Sequence, residues 1–284
     1  MRKIKKIHKA ISSPIGDLKT FRALPTGQID HLDPFLFLNH HGPQVYGPGN
    51  QGLPFGPHPH RGFETLTFIL AGDVMHRDSG GGKSIITEGG IQWMTAGRGV
   101  IHTEVSSEEF KAKGGNLELI QIWLNLPSEL KMTEPAYFGL QKDQVPVFTL
   151  ENGVAIQPVA GQWNGHTGPV NPLTDIEIAR LKLQKGATYA TRIPAGRNIL
   201  CYILNGNLLV NGQQAGTHNL VEFANEGEEI KIEALEPAEL ILGHGQPYNE
   251  PIVAHGPFVM NSQQEIMEAI RDYQTGKMGV WSED

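Results

Sequence analysis

Two pairs of possible metal ligands stand two residues apart in this chain. His58 and His60 form the first pair, and His102 and Glu104 form the second. In an extended strand, residues i and i+2 project from the same face. If the two pairs lie on neighbouring strands, four ligands point to one place. Imidazole with one carboxylate suits iron, and also zinc, copper, nickel or manganese, whereas the lack of thiolates disfavours a closed structural zinc site.

Glu64 is a rival to Glu104 for the carboxylate position. If one strand runs from His58 to Leu70 without a bulge, Glu64 shares a face with both histidines of the first pair. The other interpretation is that Glu64 lies behind a ligand histidine and accepts the N–H of its ring. Four protein ligands in a six-coordinate field would leave two positions free for dioxygen, water or a chelating substrate. The residues alone do not decide whether Glu64 or Glu104 would be the carboxylate ligand.

The elements that must position these residues are predicted to be short strands. The chain has 284 residues with 34 Gly and 19 Pro, and strand-like runs alternate with turn residues, which indicates an antiparallel barrel or sandwich. A second strand series begins near Ile176 and contains the hairpin dipeptides Asn205-Gly206 and Asn211-Gly212. The same architecture therefore occurs twice. The second copy of the ligand strand, Thr188 to Pro194, has no histidine or carboxylate, so we expect it to bind no metal.

The end of the chain predicts one helix over about 262–275. Ser262 and Glu265 form a capping box, apolar residues follow at helical spacing, and Gly276 supplies a stop. We expect its apolar stripe to pack on a barrel exterior.

Charge and composition exclude several function classes. A net charge of -7 argues against direct binding to nucleic acid, which needs clustered Lys and Arg. No apolar run reaches the length of a membrane span or of a signal-peptide core. Cys201 is the one cysteine, cannot form an intrachain disulfide, and is predicted to be a buried strand residue. We therefore expect a cytoplasmic protein, or a nuclear one if the source is eukaryotic.

Three stretches resemble the pirin family. They are Pro57-His58-Pro59-His60-Arg61-Gly62-Phe63-Glu64-Thr65, the run from Gln92 to Glu104 that contains Thr95-Ala96-Gly97-Arg98-Gly99-Val100-Ile101-His102-Thr103-Glu104, and Gln121-Ile122-Trp123-Leu124-Asn125-Leu126-Pro127. Residues 249–261 are similar to the family as well. The resemblance implies an all-β bicupin with two jelly-roll-like domains, here 1–138 and 139–284, the second without metal ligands and carrying the helix. It also implies mononuclear Fe2+ held by His58, His60, His102 and Glu104, with Glu64 behind them.

The resemblance implies two alternative functions. Some bacterial members are similar to quercetin 2,3-dioxygenases, which open a flavonol ring with dioxygen and release carbon monoxide; here Glu104 would help to remove the substrate hydroxyl proton. Eukaryotic pirin is a nuclear cofactor that binds transcription factors and responds to iron redox state. The expected partner is accordingly a small aromatic, flavonol-like substrate or a protein, and the fold alone does not choose between them.

Overall fold

The computed structural model describes residues 1–281. Along the first half of the chain the strands are β1 (Ile4–Lys9), β2 (Ile11–Ser12), β3 (Thr20–Leu24), β4 (Phe35–Tyr46), β5 (Phe55–His60), β6 (Phe63–Ala71), β7 (Asp73–Asp78), β8 (Lys83–Thr87), β9 (Ile91–Thr95), β10 (Val100–Val105), β11 (Gly115–Asn125) and β12 (Ala136–Leu140). A short helix, α1 (Glu108–Lys113), precedes β11.

The second half continues the series of short strands. They are β13 (Phe148–Thr149), β14 (Val154–Ala160), β15 (Gln162–Trp163), β16 (His166–Thr167), β17 (Glu177–Leu183), β18 (Thr188–Arg192), β19 (Asn198–Asn205), β20 (Asn207–Val210), β21 (Gln213–Gly216), β22 (Asn219–Phe223), β23 (Glu229–Ala234), β24 (Ala238–Gly245), β25 (Val253–His255) and β26 (Phe258–Met260). The second helix, α2, is Gln263–Gln274, and 3-10 turns lie at Ser128–Leu130, Lys142–Gln144 and Glu151–Gly153.

Chain contacts group these elements into two compact units. The N-terminal unit contains residues 12–21, 37–144 and 248–281, and the C-terminal unit contains 1–11, 22–36 and 145–247. The predicted domain boundary after residue 138 stays a prediction. The contacts group the first residues of the chain with the C-terminal unit and the last with the N-terminal unit, so the units are not two consecutive stretches of sequence.

The N-terminal unit consists of two antiparallel sheets. The larger has the order β12-β9-β6-β11-β4-β3-β2, and the smaller has the order β5-β10-β7-β8. Along β6, Thr65, Thr67 and Ile69 share one face, and in β11 the residues opposite the last two are Gln121 and Leu119. This face is therefore polar at one end and apolar at the other, where Ile69 and Leu119 enter a buried hydrophobic cluster.

The C-terminal unit repeats this arrangement of two sheets with a different set of interior side chains. Its larger sheet has the order β1-β22-β19-β24-β17-β14-β13, and its smaller sheet has the order β18-β23-β20-β21. Alternate residues of its central strands, such as Leu181, Ile203 and Leu240, belong to one apolar cluster. Cys201 lies in the same cluster with no exposed surface, which confirms its predicted place, and burial raises the pKa of its thiol to about 12.

Several predictions about single elements can be compared with the structure. The C-terminal helix is confirmed: Ser262 caps α2 by accepting the backbone N–H of Glu265. Asn211 and Gly212 both have positive φ, as a two-residue hairpin requires. The Gly and Pro content of residues 42–57 predicts an ordered loop there. This is wrong in part, because β4 continues to Tyr46 and β5 begins at Phe55. Neither helix in the described part of the chain is long and apolar enough to cross a membrane.

Candidate metal centre

Two neighbouring strands bring the histidines together. β10 pairs antiparallel with β5, and in this register His102 lies opposite His58 while Val100 lies opposite His60. β10 also pairs with β7 on its other edge, where Asp78 faces His102 and His76 faces Glu104. A central strand with partners on both sides has little freedom to shift, so the register fixes where the His102 ring points.

The three imidazoles meet at their Nε2 atoms. His58 Nε2 lies 3.2 Å from His60 Nε2 and 3.0 Å from His102 Nε2. One ligand atom from each of these residues falls within 4.8 Å of the others, which makes them a possible metal-binding group among the described residues. His58 is half-buried, whereas His60 and His102 are buried. The site therefore has one ligand at its edge and two in its interior.

The opposite ring nitrogens show which tautomer two of these histidines adopt. His58 Nδ1 lies 2.7 Å from Gly56 O, and His60 Nδ1 lies 3.2 Å from Pro257 O. A carbonyl only accepts hydrogen bonds, so each Nδ1 carries the proton and donates it. Both Nε2 atoms then present lone pairs to the same point, which is the arrangement typical of metal-binding histidines. The donor set fits a transition-metal ion.

Burial keeps the interior histidines neutral. Desolvation, followed by the proximity of His58, lowers the pKa of His60 to about 3. Desolvation also lowers the pKa of His102 well below its usual value, with further contributions from His60, His58 and His76. Neutral imidazole is the form that binds metals, so these two ligands need not lose a proton near neutral pH.

Glu104 lies next to the histidines in sequence but is held by other groups. Its Oε2 accepts a hydrogen bond from Gln121 Nε2 at 2.7 Å, and its Oε1 is 3.4 Å from Thr67 Oγ1. It is buried, on the same face of β10 as His102, but it is not part of the three-histidine group. Its role as a fourth ligand stays a prediction. Gln121 and Thr67, which the sequence reasoning missed, are its observed partners.

The structure does not place Glu64 behind a ligand histidine. The chain leaves one sheet at His60 and enters the other at Phe63, and Gly62 between them has a φ of 91°. The condition of one continuous strand is therefore not met, and the place of Glu64 behind a ligand histidine stays a prediction. Glu64 lies opposite Thr95, whose hydroxyl donates to it at 2.7 Å, and alternation turns it away from the face of Thr67. Burial raises the pKa of its carboxyl group.

A second group of polar residues adjoins His102. The ring of His76 lies 5.4 Å from that of His102 and stacks on Tyr137 at 3.8 Å, and its Nε2 contacts Asp78 at 2.8 Å. Tyr137 and Asp78 also line a cavity of about 440 Å³ whose wall includes Arg98. Of these neighbours only Asp78 lies on the strand of His76, whereas His102 and Tyr137 come from β10 and β12 and cannot be identified from the pattern of β7.

Comparison with known proteins agrees with this architecture. The family model described as pirin matches residues 17–124, and the one described as the pirin C-terminal cupin domain matches residues 178–279. A Pseudomonas aeruginosa protein with the provisional name quercetin 2,3-dioxygenase is 36% identical over 265 residues, which are 93% of this chain and 91% of that relative. The chain thus has the two predicted cupin domains.

Two solved structures extend the comparison. The crystal structure of quercetin 2,3-dioxygenase from Acinetobacter baumannii is 36% identical, with a TM-score of 0.91 over 98% of this chain and 99% of that one. A bacterial pirin from Escherichia coli in complex with nickel(II) is 26% identical, with a TM-score of 0.69 over 85% of this chain and 99% of that one. Both family models and the near full-length relatives lead to one conclusion: this chain is a member of the pirin family.

Proposed function

We propose that this protein is a mononuclear iron dioxygenase of the quercetin 2,3-dioxygenase type, acting on a flavonol-like substrate. The observation that carries the proposal is the convergence of three imidazole Nε2 atoms, with the Nδ1 atoms of His58 and His60 committed to carbonyl acceptors. Relatives named for this activity or for nickel binding support it. A bound ferrous ion would supply Lewis acidity and one-electron redox chemistry.

The residues of the chain have distinct roles in this proposal. His58, His60 and His102 bind the ion, and Glu104 completes the set from the same face of β10. A carboxylate in this place also serves as the acceptor for the proton of a substrate hydroxyl. The hydrogen bond from Gln121 Nε2 fixes the direction of the Glu104 carboxylate. The half-buried His58 marks the side from which a substrate enters.

An aerobic assay with quercetin tests the proposal. Protein loaded with ferrous ion under anaerobic conditions is mixed with quercetin in air, and the loss of quercetin absorbance and the release of carbon monoxide are followed. We expect turnover by the unchanged protein and by a His166→Ala control, whose altered residue lies in the C-terminal unit, and none by His58→Ala.

The outcomes separate the parts of the proposal. If the protein binds iron but the unchanged protein turns over quercetin no faster than His58→Ala, quercetin is not its substrate. Failure to bind any transition metal would overturn the metal centre as well. Metal binding without oxygenase activity toward flavonols would favour the regulatory, protein-binding alternative, which a pull-down with the ferrous and ferric forms then tests.

A further inference from the structure

We infer that residues 257–260, which we term the return segment, position His60 for metal binding, and that the buried side chain of Lys131 holds this segment in place. The inference rests on the proposed metal centre and concerns residues outside its ligand set. The return segment comprises Pro257 and strand β26. It lies 197 residues after His60 in the sequence and supplies the carbonyl oxygen that the His60 Nδ1 contacts.

The contact with Pro257 fixes what His60 offers to a metal. The ring of His60 has one nitrogen in the histidine cluster and the other at Pro257 O. Because the carbonyl accepts only, it selects the tautomer with the proton on Nδ1 and the lone pair on Nε2. The other ring nitrogen contacts another imidazole, His58 Nε2, which can donate or accept and so does not select a tautomer. The return segment therefore determines both the tautomer and the direction of the ring.

Lys131 joins the two chain segments that carry this contact. Its Nζ donates to Gly62 O at 2.8 Å, to Val259 O at 3.1 Å and to Asn125 Oδ1 at 2.7 Å. Gly62 lies two residues after His60, and Val259 lies two residues after Pro257. The ammonium group thus connects the two backbone segments at positions two residues from the hydrogen bond between His60 Nδ1 and Pro257 O. Only 1% of the Lys131 surface is exposed, and burial of a lysine is costly unless its donors are satisfied.

The backbone at this point admits no larger residue. Val259 N donates to Arg61 O at 3.1 Å, and a Cβ added to Gly62 would stand 2.0 Å from Val259 O. Gly62 also has a φ of 91°, which favours glycine. The close approach lets the return segment lie directly against the turn between β5 and β6.

Helix α2 supports the same contact from outside. Arg61 Nε donates to Arg98 O at 2.6 Å, and its NH2 nitrogen lies 3.0 Å from Asp272 Oδ2 on the helix. Ile266 and Ala269 of α2 are buried in a cluster with Phe258 and Met260 of the return segment. Helix α2, near the end of the chain, therefore anchors the return segment against the unit that contains His60.

Lys131→Met tests the inference, since methionine keeps the apolar stem but removes all three donors. The first measurement is the long-range 1H–15N NMR spectrum of the histidines in metal-free protein at pH 8, which reports the tautomer of each ring. The second is the Kd for Ni2+. We expect a single Nδ1–H tautomer for His60 in the unchanged protein, a mixture in the variant, and an increase in Kd of about tenfold or more, as for other outer partners of metal ligands.

Two further proteins complete the test, one as a control and one as a second way to weaken the contact between His60 and Pro257. Lys113→Met removes an exposed lysine of α1 and should change neither measurement. Replacing the amide between Pro257 and Phe258 by an ester weakens the Pro257 carbonyl as an acceptor and leaves every side chain intact; it decides the question if Lys131→Met does not fold. We expect the ester protein to show the same mixed His60 tautomer and weaker Ni2+ binding.

An unchanged His60 tautomer and a Ni2+ Kd within twofold of the parent, in whichever of the two altered proteins folds, would overturn the inference. If the unchanged protein binds no Ni2+, the metal centre itself is wrong, and the tautomer spectrum of the metal-free proteins still decides whether the return segment orients His60.

Discussion

The two units have the same sheet pattern and opposite interiors. In the N-terminal unit, the face that carries Ile69 and Leu119 becomes polar toward Thr67 and Gln121. In the C-terminal unit, the corresponding central strands carry apolar side chains along most of this face, such as Leu181. A buried polar group must find a hydrogen-bond partner, whereas an apolar one gains stability by leaving water. The polar groups of the N-terminal interior are therefore the ones able to hold a ligand, whereas the apolar residues of the C-terminal interior contribute packing.

The largest expected effect separates the units by metal content. We predict that the unchanged protein binds about one metal ion per chain and that His102→Ala lowers this to near zero, with at least about a 100-fold loss of affinity, because loss of a ligand should cost at least as much as loss of an outer partner. Metal analysis after dialysis measures the content. His166→Ala in the C-terminal unit should retain about one ion. A second ion that survives His102→Ala would place a site in the C-terminal unit and remove the contrast.

The next effect concerns the apolar interior. Leu181→Ala should lower the free energy of unfolding of the C-terminal unit by about 2–5 kcal/mol, because it leaves a cavity in a packed core. Urea denaturation of the metal-free protein measures this. The control is Leu173→Ala, since Leu173 is 47% exposed and should change the stability by less than about 0.5 kcal/mol. Equal effects of the two substitutions would show that the interior of this unit is not the source of its stability.

Acid should destabilise the C-terminal unit through His244. Desolvation, followed by the charge of Arg197, lowers the pKa of His244 to about 3 from 6.5, and Arg197 Nε donates to its Nδ1 at 2.9 Å. The nearby carboxylate of Asp175 opposes this shift. Since the folded-state pKa lies below the unfolded one, the unfolded chain binds more protons as the pH falls below 6.5, and stability is lost toward pH 3.

The size of this loss can be measured by comparison with a variant. From pH 7.5 to pH 5 this histidine should remove about 2 kcal/mol from the free energy of unfolding. His244→Gln should reduce the fall in stability over that range by about the same amount, as measured by urea denaturation at each pH. A parallel pH dependence in the two proteins would show that His244 is protonated in the folded chain.

Most of the fold could be predicted from the sequence because its signals are local. The residue pattern predicts strands from Lys83 to Thr87 and from Glu229 to Ala234, and these are the observed bounds of β8 and β23. In each case alternation and flanking turn residues define the strand. The unpredicted helix α1 has a local signal as well: Ser107 caps it, and Glu108 and Glu109 occupy its first turn. Its six residues are too few for an apolar stripe to be evident.

The candidate site was predictable only in part. The positions of His58, His60 and His102 were enough to predict that these residues lie close together, since residues i and i+2 share a face of a strand. The face of Glu64 could be stated only conditionally, because it depends on the backbone at Gly62, which redirects the chain between sheets. The partners Gln121 and Pro257 come from distant parts of the chain, and no local pattern identifies them.

The smallest expected effect tests whether the polar interior is a connected network around the ligands. Gln121→Leu has nearly the same volume but removes the donor to Glu104 Oε2, and it leaves the contact of Thr67 with Glu104 Oε1 in place. We predict about a tenfold rise in the Ni2+ Kd, at the low end for outer partners of metal ligands, because Thr67 still contacts Glu104. Isothermal titration calorimetry measures the Kd, with Gln162→Leu in the C-terminal unit as control.

The Ni2+ affinity of Glu104→Gln shows whether Glu104 is itself a ligand. If Glu104 binds the ion, replacing it by the neutral amide weakens affinity more than Gln121→Leu does, since the first removes a charged ligand and the second only its support. If Glu104→Gln leaves the affinity unchanged, the ion is held by the three histidines alone, and Glu104 is free to act as a proton acceptor. An unchanged Kd in Gln121→Leu together with weaker Ni2+ binding in Glu104→Gln would mean that Glu104 binds the ion and that the hydrogen bond from Gln121 is not needed to orient its carboxylate.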